Sequence, residues 1–448
     1  MNRIDRGQGF NYKPGFPELR LSTTGYVNPQ NDTKIIVSGS IVYGSLIYKK
    51  ADDLYQANIG VDIEVINKSA DNQKAIKLDY KYTINRQEKN IINNQEVYRF
   101  EHEYDVPPGD YLIRVVVTDL TSEKQTTQET ESSIPDPEGD ISKVTEIRVL
   151  GKDSSVQNTF FNPVNTYDIP SRLDSLQFIF QVTNNKEDEQ LTLQARLLKF
   201  DADTTIARRM NFNNYSPSNI SYRGIEYDDY DVVQSSRRVL NQSGSVQIKY
   251  FFTDLDRGNY RLEVTSERDD DDLYKARDFS IKSKNYPALK SPRELAAPLY
   301  YLMDKGEYET LMAIEDNDSL KAAIDRFWLS NINNAARTRS VLSLYYERVE
   351  SANKKFSNFK EGWKTDAGMI YILFGSPWYT ESFGDEMLWS YSYNRQDPRK
   401  NFFFHRTKIN SKYFPFHNYL FIRKNSYHSV QYNQIERWRS GLILKDNL

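Results

Sequence analysis

Ile59, Val61, Ile63 and Val65 alternate with Gly60, Asp62 and Glu64, a period of two that puts one face of a strand in a core and the other in water. Leu78-Tyr80-Tyr82-Ile84 and Tyr111-Ile113-Val115-Val117 repeat the pattern, and shorter apolar runs stand at Ile35–Val37, Ile41–Tyr43 and Leu46–Tyr48. Further strands are predicted at Glu146–Leu150, Leu176–Thr183, Leu191–Phe200, Val246–Phe252, Tyr260–Thr265 and Tyr274–Ile281. Short strands at this spacing without intervening helices predict sandwiches rather than a βαβ fold. Between the two groups, Ser132-Ser133-Ile134-Pro135-Asp136-Pro137-Glu138-Gly139-Asp140 reads as a linker, because two prolines flanked by acids and Gly cannot sit in a sheet ladder.

The two groups share a local signature. Pro108-Gly109-Asp110-Tyr111 and Arg257-Gly258-Asn259-Tyr260 align at an offset of 149, each with Gly at the turn and Tyr opening an alternating strand. A Tyr so placed returns its hydroxyl to loop backbone in the tyrosine corner of Ig-like sandwiches. Two related β-sandwich modules are expected.

At Ser291 the period changes to 3.6. Ser291-Pro292-Arg293-Glu294 is a capping box with proline at the first helical position, and Leu295, Leu299, Leu302 and Met303 continue at helical spacing. A second helix is predicted over Ser319–Asn331, burying Leu320, Ile324, Phe327 and Trp328, and a third over Ala335–Phe356. On the third, Val341, Leu344, Tyr345, Val349, Ala352 and Phe356 form the apolar stripe. Strands then read at Glu386–Tyr393, Asn401–His405 and Tyr419–Ile422, and a closing helix at Tyr432–Ser440.

Between helix and sheet lies Gly362-Trp363-Lys364-Thr365-Asp366-Ala367-Gly368-Met369-Ile370-Tyr371-Ile372-Leu373-Phe374-Gly375-Ser376-Pro377. Its turn residues around a β-branched and aromatic run predict loop, buried strand beginning near Gly368, loop. Trp363 is expected to fill the gap beside the third helix, Thr365 and Asp366 to cap the turn, and Gly368 to supply positive φ or close packing.

This stretch resembles the GWxTD domain, a family of Bacteroidota-type envelope proteins. The matching positions are Gly362, Trp363, Thr365, Asp366, Gly368, Ile370, Tyr371, Gly375 and Pro377. The resemblance extends from about Ser291 to the C-terminus through Tyr345–Val349, Ala352-Asn353, Phe356 and Met387–Tyr391. Family members often carry Arg at the places held here by Ala367 and Met369, so no role of those arginines transfers. The family brings no established catalytic residue. It implies an exported, often lipid-anchored protein at the outer membrane, whose given chain starts after a removed signal.

Composition narrows the remaining classes. With 448 residues the chain predicts two to four domains. Charged residues make up 27% with a net charge of −3 and are scattered, which disfavours nucleic acid as a partner. The 32 Tyr and 23 Phe suit half-buried strands and interfaces. Absence of Cys removes disulfides, thiolate nucleophiles and Cys-ligated metals. No apolar run is long enough to span a bilayer as a helix, and Met1–Gly7 is polar, without an h-region.

Candidate chemistry is sparse. Asp366 with Glu361 and Glu381, beside Trp363, Trp378 and Trp389, has the ingredients of a glycan-acting site, against the simpler reading of a turn cap and packed tryptophans. His405, His417 and His428 follow no zinc-ligand spacing. Asp269–Asp272 lacks the alternation and Gly of a calcium loop and reads as a solvated hairpin tip. Arg395, Arg399, Lys400, Arg406, Lys408 and Lys412 form a basic, aromatic-flanked set that fits headgroups, an acidic partner or a solvated face. No nucleophile-elbow, Walker or Rossmann motif occurs.

The expectation is a multidomain, β-rich chain: an extended arm or added strand over 1–33, Ig-like sandwiches over 34–132 and 141–284 joined by 133–140, and an α+β GWxTD domain over 285–448, with helices on a small antiparallel sheet. The expected function is a non-enzymatic scaffold or accessory subunit of an outer-membrane-associated complex for protein assembly, secretion or gliding. It would bind protein partners through strand edges and tyrosine-rich faces, without catalytic residues, cofactor or metal, and touch membrane peripherally or through a lipid anchor absent from this chain. The rival is an envelope glycan- or peptidoglycan-acting enzyme or binder using Asp366 and the three tryptophans.

Overall fold

A computed structural model describes residues 15–68, 75–87, 96–157, 160–186, 189–211, 224–268, 270–392, 397, 400–407 and 417–445. The chain divides into one unit of Met1–Phe200 with Tyr230–Ile281 and another of Asp201–Asp229 with Lys282–Leu448.

The first sandwich is built from β1 (Leu19–Val27), β2 (Thr33–Val42), β3 (Lys49–Ala51), β4 (Leu54–Asn67), β5 (Ala75–Arg86), β6 (Val97–Asp105), β7 (Gly109–Asp119) and β8 (Lys124–Ile134). One sheet runs β1-β2-β6; the other runs β3-β4-β7-β8, with β5 also on β4. The alternating positions of β4 and β7 do what their period requires: Ile59, Val61, Ile63, Val65, Ile113, Val115 and Val117 are all fully buried, facing Leu19, Ile35 and Val37 of the other sheet in one core. A half-buried aromatic run closes the gap between β5 and β6, where the rings of Tyr80 and His102 stack at 3.9 Å and Tyr82 Oη lies 2.6 Å from His102 Nε2.

The opening segment adds a strand. β1 pairs with β2 throughout, from Leu19 opposite Ile41 to Val27 opposite Thr33, and its alternate residues are buried. An arm free of the fold is therefore not what residues 19–27 form, because Leu19 and Leu21 join the core.

The second sandwich comprises β9 (Lys143–Val144), β10 (Arg148–Lys152), β11 (Asn162–Pro163), β12 (Asp168–Pro170), β13 (Ser175–Asn184), β14 (Leu191–Ala202), β15 (Ile225–Leu240), β16 (Gly244–Thr253), β17 (Gly258–Ser266) and β18 (Lys275–Lys282). Its sheets run β11-β10-β13-β16, with β9 on β13, and β12-β18-β17-β14-β15. Phe178, Phe180 and Val182 of one sheet meet Leu193, Leu262, Val264 and Phe279 of the other. Both sandwiches belong to one unit, joined by specific bonds: the Gln181 side chain accepts from Val27 N at 2.6 Å and donates to Val27 O at 2.7 Å. The repeat at offset 149 is structural as well as textual. Tyr111 Oη donates to Pro107 O and Tyr260 Oη to Asp256 O, each at 2.8 Å and each four residues back.

The second unit begins with α1 (Pro292–Ala296), whose capping box forms as the sequence predicts, and a 3-10 turn over Ala297–Tyr301. Then follow α2 (Lys305–Met312), α3 (Asn317–Ile332), α4 (Ala335–Phe356), α5 (Asp366–Phe374), β19 (Tyr379–Phe383), β20 (Glu386–Ser390), β21 (Asn401–Arg406), β22 (Tyr419–Phe421) and α6 (Tyr427–Arg439). The sheet is antiparallel in the order β19-β20-β21-β22, as expected of helices on a small sheet. Helix α4 has its predicted bounds, and α3 buries Leu320, Ile324, Trp328 and Ile332. Helix α2, strand β19 and the first turn of α6 go beyond the sequence prediction.

Two expectations are corrected here. The run after Trp363 is helix α5, not a strand. Every residue from Asp366 to Leu373 is buried, so the run shows no period of its own, and a short apolar run without a period fits either element. Residues 201–229, placed by sequence in the second sandwich, cluster with the C-terminal unit, where Ala207 and Met210 are core residues.

Candidate functional site

The GWxTD stretch is where the C-terminal unit is most tightly determined. After α4 the chain makes a 3-10 turn over Gly362–Lys364 and enters α5 at Asp366. Glycine is required at two places because three backbones stack. A Cβ on Gly362 would lie 1.9 Å from Ala352 O of α4, and one on Gly368 would lie 1.9 Å from Gly362 O. Gly368 thus serves close packing rather than positive φ.

Side chains lock that stack. The Thr365 hydroxyl donates to Gly362 O at 2.7 Å and accepts from Gly368 N at 3.0 Å, which caps α5. Asn353 on α4 accepts from Trp363 N at 3.1 Å, and Ser357 Oγ accepts from Gly362 N at 2.8 Å. Trp363 is buried; its indole N–H donates to Glu361 at 2.9 Å, and Tyr301 Oη donates to its carbonyl at 2.7 Å. At the other end of α5, the carbonyl of Leu373 accepts from Gln434 Nε2 at 2.7 Å and Trp438 Nε1 at 3.0 Å, and Arg348 Nη1 reaches both Ile372 O and Leu373 O at 3.3 Å. These bonds satisfy carbonyls that a helix end leaves open.

Asp366 does not cap the turn. Its carboxylate accepts Arg423 Nη2 at 2.6 Å and Nη1 at 2.8 Å, and Phe421 N at 2.8 Å. Arg423 also donates to the carbonyls of Arg208, Arg209 and Phe421. Nearby, the buried Lys360 ammonium donates to Thr205 O at 2.9 Å; burial pulls it below its ordinary 10.5 against the raising influence of Asp203 and Asp366. Lys360, Asp366, Asn418, Arg423, Asp203 and Arg208 border a cavity of about 40 Å³. That is room for a few water molecules, far short of the several hundred Å³ of an ordinary ligand pocket.

The expected aromatic cleft is not assembled. Trp363 packs on Tyr301, Trp389 on Phe356 and Phe404, and both are buried, while Trp378 is exposed. Glu361 is occupied by Trp363 Nε1 and by Ser283 N at 2.8 Å, and Glu381 lies on β19. Glu361, Asp366, Trp363 and Trp389 are each absorbed by their own neighbours inside the fold, so these four do not line a common open groove.

Ile370 is fully buried, and Gly375 ends α5 with φ of 83°, its carbonyl accepting Tyr391 Oη at 2.7 Å. Pro377 follows in the turn before β19. Tyr371, also buried, is the motif residue whose hydroxyl meets side chains rather than backbone: Lys355 Nζ is 3.0 Å away and Ser376 Oγ 3.4 Å. Sequence reasoning missed Arg423, Lys360 and Lys355, and none carried a local signal.

His405 lies on β21, His417 just before β22 and His428 in α6, and among the described residues no group of His, Asp and Glu is placed to hold a metal ion. Asp270 accepts from Asp272 N at 2.9 Å in the turn between β17 and β18; Asp269 lies outside the described residues. Of the basic set, Arg395, Arg399, Lys408 and Lys412 lie outside them as well. Among the described residues no helix is long and apolar enough to cross a membrane.

A family model described as the GWxTD domain matches residues 264–440, beginning within β17, ahead of Ser291. No curated protein matches the chain. Solved structures similar to it include red sea bream transglutaminase, 11% identical over 59% of this chain and 31% of that one, with a TM-score of 0.18. They also include Salmonella alpha-2-macroglobulin reacted with methylamine, 14% identical over 63% of this chain and 18% of that one, with a TM-score of 0.20. The chain thus spans less than a third of either structure's length.

Proposed function

The chain is a GWxTD domain-containing protein, with that domain over residues 264–440, and from this premise we propose that it is a non-enzymatic scaffold or accessory subunit of an outer-membrane-associated complex in a Bacteroidota-type cell. The partners are proteins of the assembly, secretion or gliding machinery, and the attachment to membrane is peripheral or through a lipid anchor.

The observation that carries this reading is strand β15. It spans 16 residues at the end of its sheet, with β14 as its neighbour in the order. Val232, Val233 and Val239 on it are 50%, 47% and 43% exposed, where a strand of a closed body would hide them. An exposed, long edge strand is a template on which an extended partner segment adds main-chain hydrogen bonds. The use of the GWxTD side chains supports the same reading, since Glu361, Asp366 and Trp363 are engaged inside the fold.

The test is native purification from the source membrane with identification of co-purifying chains, repeated with Val233→Pro, which interrupts the regular backbone of that strand. A stoichiometric partner retained by wild type and lost by the folded variant is the expected result. Recovery of the chain alone from native membrane overturns the scaffold reading.

A further inference from the structure

Tyrosine hydroxyls in the C-terminal unit have a common use. Those of Tyr286, Tyr301, Tyr308, Tyr345, Tyr346 and Tyr391 each donate their proton to a backbone carbonyl, at 2.6–3.1 Å. Such a bond holds the phenol in its neutral form. Tyr371 is arranged the other way round. Its oxygen receives the Lys355 ammonium at 3.0 Å and the Ser376 hydroxyl at 3.4 Å, and the same ammonium lies 4.6 Å from its ring centroid. Donors aimed at a phenol oxygen favour its charged form, as a neighbouring cation does.

We propose that Tyr371 is a nucleophilic tyrosine, poised by Lys355 and Ser376 to take an electrophilic sulfonyl or acyl centre onto its phenol oxygen. The three residues come from separate places, Lys355 from the last turn of α4, Tyr371 from α5 and Ser376 from the turn after it, so the constellation depends on the α4–α5 contact that the paired glycines create. Around the hydroxyl, Ser376 is exposed and Lys355 half-buried, and Tyr371 itself is 9% exposed. Burial raises the phenol, and Ser376, Lys355 and Ser351 more than offset it, leaving Tyr371 below the ordinary 10.0. Among the described tyrosines with a resolved shift, the others are raised, as at Tyr301, Tyr345 and Tyr391. Lys355 and Ser351 face the phenol from α4 and Ser376 from the turn, and Tyr391 lies close enough to be raised by it. The mark of the proposal is a reactive side chain, independent of the edge strand and of any partner.

With an aryl sulfonyl fluoride, the Tyr371 oxygen forms a bond to sulfur, the sulfur–fluorine bond breaks, fluoride leaves with the electron pair and the phenolic proton passes to solvent. The experiment treats the full chain with this probe and maps labelled peptides by mass spectrometry over time, with Tyr432, 57% exposed on α6, as the internal reference. Tyr371 is expected to label severalfold faster than Tyr432. In Lys355→Met, which keeps an unbranched stem against the ring, the Tyr371 rate falls to or below the reference while Tyr432 is unchanged. Ser376→Ala, at an exposed position, gives a smaller drop and serves alone should the Lys355 variant lose its thermal transition. Labelling of Tyr371 no faster than Tyr432, or a fast rate unaffected in the folded variants, overturns the proposal.

Discussion

Asp366 and Arg423, 57 residues apart, form a two-point ion pair with side chains 7% and 1% exposed. Desolvation makes such a pair a weak net stabiliser, but removing one partner strands the other charge. Asp366→Asn or Arg423→Ala is expected to cost about 3–5 kcal/mol. The double replacement Asp366→Leu with Arg423→Met should recover much of that loss. Denaturant unfolding of the four proteins checks both statements; a single variant as stable as wild type removes the pair from the structural account.

Trp363 fills the space between the 3-10 turn and Tyr301 while its N–H is held by Glu361. Trp363→Ala should lose roughly 3–5 kcal/mol as a cavity opens. Equal stability combined with lost partner binding would instead give the ring a recognition role. The same unfolding series and the co-purification assay separate the two.

The paired glycines make a sharper demand. Gly368→Ala would force a methyl to 1.9 Å from a carbonyl oxygen, and neither backbone can yield without parting α5 from the turn, so a loss above about 3 kcal/mol is expected. Gly60→Ala in β4 is the control, since its nearest contact would be 3.7 Å. A strand alanine there should be neutral or slightly stabilising, by up to about 1 kcal/mol. Thermal melts should show a clear loss for Gly368→Ala and none for Gly60→Ala; equal losses would overturn the packing account.

The two tyrosine corners should behave alike. Tyr111→Phe and Tyr260→Phe each leave one loop carbonyl without its phenol donor, and each is expected to cost about 0.5–1.5 kcal/mol. Markedly unequal losses would mean that the two modules use the shared turn differently.

Arg439 supplies a pH dependence. Its guanidinium holds Glu307 at 2.9 Å and 3.0 Å, joining α6 to α2, and chiefly through that bond the Glu307 carboxyl sits below its ordinary 4.5. A carboxyl lowered on folding stabilises the fold above the unfolded value and loses that contribution as pH falls through the folded one. Stability should therefore decline on acidification below about 4.5, and Arg439→Ala should flatten that part of the curve. Partial exposure makes the effect small and salt-sensitive. Urea midpoints across the acid range, at low and high salt, measure it.

Much of this protein is determined by local sequence. Period-two alternation placed the faces of β4 and β7, the box at Ser291 began the helical region, and the stripe from Val341 to Phe356 fixed α4, because each of these segments has one side in water and one in the core. The Gly-Tyr repeat even foretold a hydroxyl bonded to loop backbone. Tertiary structure decided the rest. Helix α5 is buried on all sides, so no period distinguishes it from a strand, and its cap and its packing against α4 choose the helix. Strand β15 is the converse case: it is exposed nearly throughout, and without a buried face it has no apolar rhythm to read. The Asp366–Arg423 pair and the Lys355–Tyr371 contact join residues that no spacing relates, since charge pairing acts through space and leaves no periodic trace along the chain.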